Sequence, residues 1–478
     1  MPFSSVSRWS AQDVGWCIVL VLGLLITAGA YTYFTFWNIA FFRMPDPSYY
    51  DAVAGNLLSA GRLADPTAFP QSSIYTPQNG IVFVEAALRF FLTHDASLTL
   101  LALIQGILLL ASGWFVYRLG LYLEFARQQA ALAALAFLLS PILLQNVSAL
   151  LNDGIFIFLF LGGLLALTCD VPTRRTAVMT LLACVIGIFR LQGILLFAAA
   201  AIGTWRFSRN EASYYALLTV GAAAVPFMLT NKLAHGLGAV PGIAAQFFSL
   251  RDVPQNLSHM LGDVLPQLLL PGGQHMHPLY WVFVPLSLAL WGIIGWESVK
   301  ALASSDRSRA IITMTTLLSL LFSFILPYYA PRYYLHILPL LLLLPLRPVR
   351  RTRLPLAVLS AAIALAFAGL AGRLILVNTN FRNNLQTMAS LRASLPASYF
   401  LVSELPSLSY YVLGIPARRL ESLPRGSSVV LFGTSAWQDM QQAGTEAPPT
   451  DEEKSRPEIM TRFSQEVVPY QTRLRRVP

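Results

Sequence analysis

Two carboxylates, Asp46 and Asp51, bracket Tyr49 and Tyr50 in the run Pro45-Asp46-Pro47-Ser48-Tyr49-Tyr50-Asp51, directly after an apolar stretch from Val14 to Phe36. In a chain this greasy, ionisable groups at a membrane boundary are costly to keep, and they point to function. A carboxylate placed there can act as a general base, taking the proton from a hydroxyl as that oxygen attacks an activated carbon. The competing reading is local. Asp at a helix start accepts hydrogen bonds from free backbone N–H groups, here for a helix opening near Tyr49.

Other residues have the right chemistry to join them. Asp153 follows Asn152 at the end of an apolar run and either supports Asp46, holds a metal, or caps the helix that begins Gly154-Ile155-Phe156. Arg190 interrupts the apolar stretch Ile186 to Gly193, and Arg332 sits in Tyr328-Tyr329-Ala330-Pro331-Arg332-Tyr333-Tyr334. Each guanidinium suits a phosphate or an interfacial anchor within an aromatic belt. Lys232 is a further candidate for phosphate. His275 and His277 are spaced two apart with no further ligand in view, which is weak for zinc and ordinary for a solvated loop.

Several classes of chemistry lack their signatures. There is no Gly-rich loop ending in Lys-Ser/Thr, no His-Glu-x-x-His and no Gly-x-Ser-x-Gly. Cys17, Cys169 and Cys184 lie in or beside apolar spans and suit packing, not a disulfide framework or a zinc site. Asn146-Val147-Ser148 fits a glycosylation pattern but falls at the end of a span, where modification is implausible.

The elements that position these residues are helices in lipid. Of 478 residues, 55% are hydrophobic and 12% charged, against about 25% charged in a soluble domain. The mean hydropathy is +0.59. Apolar runs predict spans at 14–36, 97–118, 129–148, 154–169, 176–189, 191–205, 213–231, 279–298, 310–328, 333–346 and 355–376, about 11 helices in all. The first is long and is followed by no small-residue cleavage site, so a retained span is expected.

The net charge of +10 does not read as nucleic-acid binding, because the basic residues fall in alternate short loops. Arg118 and Arg127, Arg174 and Arg175, Arg206 and Arg209, Lys300 with Arg307 and Arg309, and Arg347 with Arg350, Arg351 and Arg353 all share one side if the N-terminus is cytoplasmic. That topology requires residues 74–93 not to cross. They are expected to form an interfacial or re-entrant helix with Pro77 near its start and Glu85 and Arg89 on a partly wet face. Outer segments then cover 37–96, 232–278 and everything beyond Asn378. The tail reads as a small α/β domain with strands near Tyr399–Val402 and Ser428–Phe432 and a mobile loop at 441–458. No internal repeat is visible.

In their order and sidedness these features resemble the GT-C superfamily, polytopic glycosyltransferases that use polyprenyl-phosphate-linked sugars, such as protein mannosyltransferases and lipid A aminoarabinose transferases. The resemblance rests on Pro45 to Ala52 with Gly61-Arg62-Leu63, on Tyr75-Thr76-Pro77-Gln78-Asn79-Gly80, on Leu139-Ser140-Pro141 through Asn152-Asp153, and on Arg190 and Arg332-Tyr333. It covers most of residues 10–350. It departs from the family where Asp46 is followed by Pro47 in place of an acid, and where Ile74-Tyr75-Thr76 replaces a basic residue or His.

The resemblance implies an all-α polytopic membrane domain over 1–377 and a periplasmic α/β domain over 378–478. It implies an inverting glycosyltransferase in the bacterial inner membrane, with Asp46 as base, Asp153 as supporting acid, and Arg190 and Arg332 on the donor phosphate. Tyr49, Asp51, Tyr333 and Lys232 are grouped with the substrate-binding residues. The partners so implied are a polyprenyl-phosphate sugar donor, a glycan, lipid or protein acceptor, and membrane lipid. A divalent cation is left open. The rival expectation is a transporter or flippase for a polyprenyl-linked glycan. It is disfavoured because the polar residues gather on one membrane face, not at the midplane. A scaffold working through its outer tail is the third.

Overall fold

The computed structural model describes residues 11–33, 35, 45–65, 68–69, 72–73, 79–169, 171–233, 254, 257, 280–322 and 331–371, together with strand segments at 400–403, 417–418, 428–433, 459–462 and 469–476. His275 and His277 and the loop expected at 441–458 lie outside these residues.

The first ten helices run α1 Ala11–Thr32, α2 Pro45–Ala60, α3 Gly80–Phe91, α4 His94–Tyr122, α5 Arg127–Leu138, α6 Pro141–Ser148, α7 Asp153–Leu167, α8 Pro172–Phe189, α9 Ile194–Thr204 and α10 Arg209–Leu233. Helices at Tyr280–Ala303, Arg307–Phe322 and Leu338–Leu343 follow, and one more at Leu354–Ala371. Among the described residues, three helices are long and apolar enough to cross a membrane: α4, α8 and Leu354–Ala371. The pair α5 and α6 would make a fourth, bent by 52°.

The run expected to be one span at 129–148 is thus broken. Pro141 at the first position of α6 has no N–H to continue α5. α5 is buried nearly all round, as its alanine-rich sequence allows, and it packs against α1 and α4. The stretch expected at 333–346 is broken too, into short turns around Pro331, Pro339, Pro345 and Pro348.

α3 does not start at Pro77 but at Gly80. Its 12 residues span only about 18 Å at 1.5 Å each, short of the roughly 30 Å hydrocarbon layer. Phe90 and Phe91 at its end are exposed, their rings edge to face at 5.0 Å. An interfacial helix accounts for both facts.

The basic loops meet at one end of the bundle. Glu211 pairs with Arg175 at 2.9 Å and with Arg307, and Glu297 pairs with Arg309 at 2.8 Å and Arg347 at 3.4 Å. Arg350 pairs with Glu124, holding that carboxyl below its ordinary range. Arg118, Arg209 and Lys300 lie over exposed Trp114, Trp205 and Trp296, the arrangement of a membrane-interface belt. The loops that the charge pattern grouped are therefore joined by contact.

Near the C-terminus, β4 Phe400–Ser403 and β6 Ser428–Gly433 pair in parallel, Leu401 opposite Val430, at the two segments expected as strands. They belong to a six-stranded sheet with β2 Ala68–Phe69, β5 Ala417–Arg418, β7 Ile459–Arg462 and β8 Pro469–Arg476, in the order β2-β5-β4-β6-β8-β7. A short pair, β1 Ala64–Asp65 with β3 Ser72–Ser73, is antiparallel.

Candidate active site

The opposite end of the bundle holds a second set of charges. Asp153 is the first residue of α7, and the N-cap position before it is Asn152, whose side chain makes no cap hydrogen bond to this helix. The Asp153 carboxylate lies 2.5 Å from the Arg190 guanidinium, with side-chain exposures of 1% and 6%. Arg190 stands where α8 stops. Its backbone is extended, and a 3-10 turn, Leu191–Gly193, follows before α9. A charge at that point ends one helix and reaches across to the start of another.

The turn that presents Asp153 is tightly held. Leu150 just before it has φ +54°, an uncommon conformation for a branched side chain. Such strain persists only where the surroundings impose it. The buried Gln105 amide donates to the Leu151 carbonyl at 3.1 Å. Asn152 accepts the Ile81 backbone N–H at 2.8 Å, which caps α3 from another helix, and its amide reaches the Tyr50 hydroxyl of α2 at 3.5 Å. Gly80, opening α3, is packed so closely on the Phe189 ring that a Cβ would stand 2.3 Å from it. Helices α2, α3, α7 and α8 thus converge on the two residues Asn152 and Asp153.

Arg190 also lies over the Tyr333 ring, 4.9 Å from its centroid, and Arg332 lies 5.3 Å from the same centroid. One tyrosine ring therefore has two guanidinium groups beside it. The sequence singled out Asp153, Arg190 and Arg332-Tyr333 from three separate places, and the structure brings them together. Asp46 is in the first turn of α2, one turn before Tyr50. The helix opens at Pro45, earlier than expected. Tyr49 is buried. Lys232 lies in the last turn of α10.

Asp51 has partners of its own. Its carboxylate pairs with Arg89 and lies 2.8 Å from His94 Nε2. Arg89 also reaches Glu85 at 2.7 Å. Glu85 is not on a wet face, as its spacing with Arg89 suggested, but 2% exposed. Burial, then the hydrogen bond and charge of Asp51, push the Glu85 carboxyl well above its ordinary range. A single guanidinium cannot neutralise two buried carboxylates, so the one it holds less directly favours its neutral form. Burial lowers Arg89 to about 10, still cationic at neutral pH.

Asp51, Glu85 and His94 lie close enough to hold a metal ion. The Arg89 guanidinium already lies against both carboxylates, however, and a dication would have to displace it. These residues do not fit a metal centre, and no step is routed through one.

The bent pair α5–α6, the short helices α2 and α3, and an acid–arginine pair at one end of a helical bundle make up the architecture that positions the site. Two solved structures share the fold. The crystal structure of ArnT from Cupriavidus metallidurans bound to undecaprenyl phosphate matches with a TM-score of 0.54 at 12% identity, over 97% of this chain and 98% of that one. The apo oligosaccharyltransferase of Archaeoglobus fulgidus matches with a TM-score of 0.51 at 14% identity, over 84% of this chain, which spans 64% of that enzyme's length. No protein-family model and no curated protein matches the sequence.

Proposed function

We propose that the chain is a membrane-embedded inverting glycosyltransferase that moves a sugar from a polyprenyl-phosphate donor to an acceptor on the periplasmic face of the bacterial inner membrane. The buried Asp153–Arg190 pair, stacked on Tyr333 beside Arg332, carries the reading. A lipid phosphate needs fixed donors at the membrane boundary, and two guanidinium groups held at one tyrosine ring supply them. The ligand bound in the structurally similar ArnT, undecaprenyl phosphate, is of that chemical class.

In this mechanism Asp46 takes the proton from the acceptor hydroxyl as that oxygen forms its bond to the anomeric carbon. The bond from that carbon to the phosphate oxygen breaks, and the electron pair leaves with the lipid phosphate. Arg190 and Arg332 stabilise the charge that gathers there. Asp153 fixes Arg190, while Tyr49 and Lys232 line the approach. Asp51, tied to Arg89 and His94, serves by anchoring α2. The eleven-span topology, with the N-terminus cytoplasmic and residues 378–478 forming a periplasmic α/β domain, belongs to the same proposal.

Purified protein in lipid nanodiscs, given a labelled polyprenyl-phosphate sugar and an acceptor extract, tests it. Release of free lipid phosphate with label in the acceptor is expected. Movement of intact donor across the bilayer without release would instead establish a flippase.

A further inference from the structure

His336 is the buried titratable group that the mechanism above leaves unused. It is 2% exposed, and its ring is wedged between Phe156, at 5.2 Å between centroids, and Phe160, at 4.5 Å. Phe156 comes three residues after Asp153 on α7, so the nearer in sequence of the two rings that His336 touches is about one helical turn along α7 from Asp153. A hydrogen bond to the Tyr333 backbone and the charge of Arg190 both reach the ring.

Among the described residues, His336 Nε2 has no hydrogen-bond partner, and neither does the second carboxylate oxygen of Asp153, Oδ2. In a neutral ring whose other nitrogen holds the backbone, Nε2 presents a lone pair. Two unsatisfied acceptors thus flank Arg190. Each costs about 1–3 kcal/mol if nothing ever donates to it. The phosphate of the donor offers no donor group at neutral pH, so it cannot be what satisfies them. A sugar offers several hydroxyls.

We infer that His336 Nε2, with Asp153 Oδ2, accepts hydrogen bonds from hydroxyl groups of the sugar being transferred, and so determines which sugar the site takes. The proposal rests on the glycosyl-transfer reading. It divides the site into a cationic part for phosphate, Arg190 and Arg332, and an acceptor part for the sugar. Arg332 and Tyr333, four and three residues before His336, are half-buried.

The test compares wild type with His336→Phe, which keeps an aromatic ring against Phe156 and Phe160, using one lipid phosphate carrying a parent sugar and its singly deoxygenated analogues. Wild type is expected to lose at least tenfold in kcat/KM on one particular deoxy donor. His336→Phe is expected to lose a similar factor on the parent sugar, to lose no more on that deoxy donor, and to bind the free lipid phosphate as wild type does. His336→Asn, which restores an acceptor oxygen, is expected to recover part of the discrimination, and it serves in place of His336→Phe should that variant not fold. Equal losses on every donor, weakened binding of lipid phosphate alone, or a wild type indifferent to every deoxy donor would overturn the inference, the last pointing to a resident water as the partner. Sensitivity confined to hydroxyls of the acceptor would overturn it as well. A wild type with no transfer activity on any donor would instead count against the glycosyltransferase reading.

Discussion

Asp153 and Arg190 form a buried ion pair at 2.5 Å although they stand at opposite ends of consecutive helices, one opening α7 and the other closing α8. The pair clamps the start of α7 to the end of α8. Breaking it singly leaves a desolvated charge, which costs roughly 3–5 kcal/mol. Asp153→Asn and Arg190→Gln are each expected to lower the thermal midpoint in nanodiscs clearly. The double variant should recover much of that stability while remaining inactive. Recovery of transfer activity along with stability would show the pair to be structural only.

Asp46 is predicted to behave in the opposite way. Asp46→Asn removes the base without changing the size of the side chain. It should reduce transfer by at least a hundredfold, in line with general-base contributions of about 10²–10⁴, with an unchanged thermal midpoint and unchanged affinity for lipid phosphate. Full activity in this variant would remove Asp46 from the mechanism.

Glu85 gives a pH dependence whose sign follows from burial. Its carboxyl is raised in the folded state, so its contribution is complete below the unfolded value of about 4.3 and is lost as pH climbs through the raised folded value. Asp51, Arg89 and His94 face it. Glu85→Gln mimics the protonated acid at every pH. Between pH 4 and 9, the thermal midpoint of wild type should fall relative to that of Glu85→Gln as pH rises. Parallel curves would contradict the assignment.

Gly187 sets the distance between α8 and α10 just below Arg190. A Cβ there would stand 2.1 Å from the Ala222 carbonyl oxygen, which is backbone and cannot rotate away. Gly187→Ala should therefore separate the helices and destabilise by about 1–3 kcal/mol. It should also reduce transfer, by tilting the end of α8 that carries Arg190. A neutral outcome in unfolding and in activity would show the contact to be looser than the structure has it.

Much of this was legible in one dimension. The helices fall on the apolar runs because backbone groups in lipid must be satisfied within their own segment, and hydropathy is a local property. The arginines at 190 and 332 were conspicuous because charge is rare in apolar surroundings, whereas the break at Pro141 inside the run expected as one span was not read. What composition did not reveal was pairing. Glu85 and Arg89 looked like a wet i,i+4 pair, yet Asp51 from another helix draws both into the interior. The cap on α3 comes from Asn152, far along the chain, so no local capping motif announced where that helix begins. His336, in an otherwise apolar run, carried the same signal of rarity as Arg190 and was passed over.

The sequence by itself determined that the chain is a helical membrane bundle, which loops gather on one side, and which few polar residues must earn their burial. The tertiary structure alone decided that Asp153 meets Arg190, that Tyr333 lies beside two guanidinium groups, and that Asp51 is bound within the protein. The reason is physical. Insertion into lipid depends on the summed transfer energy of neighbouring residues. Which charges meet depends on how helices cross and where each one stops, and that is settled only when their side chains pack.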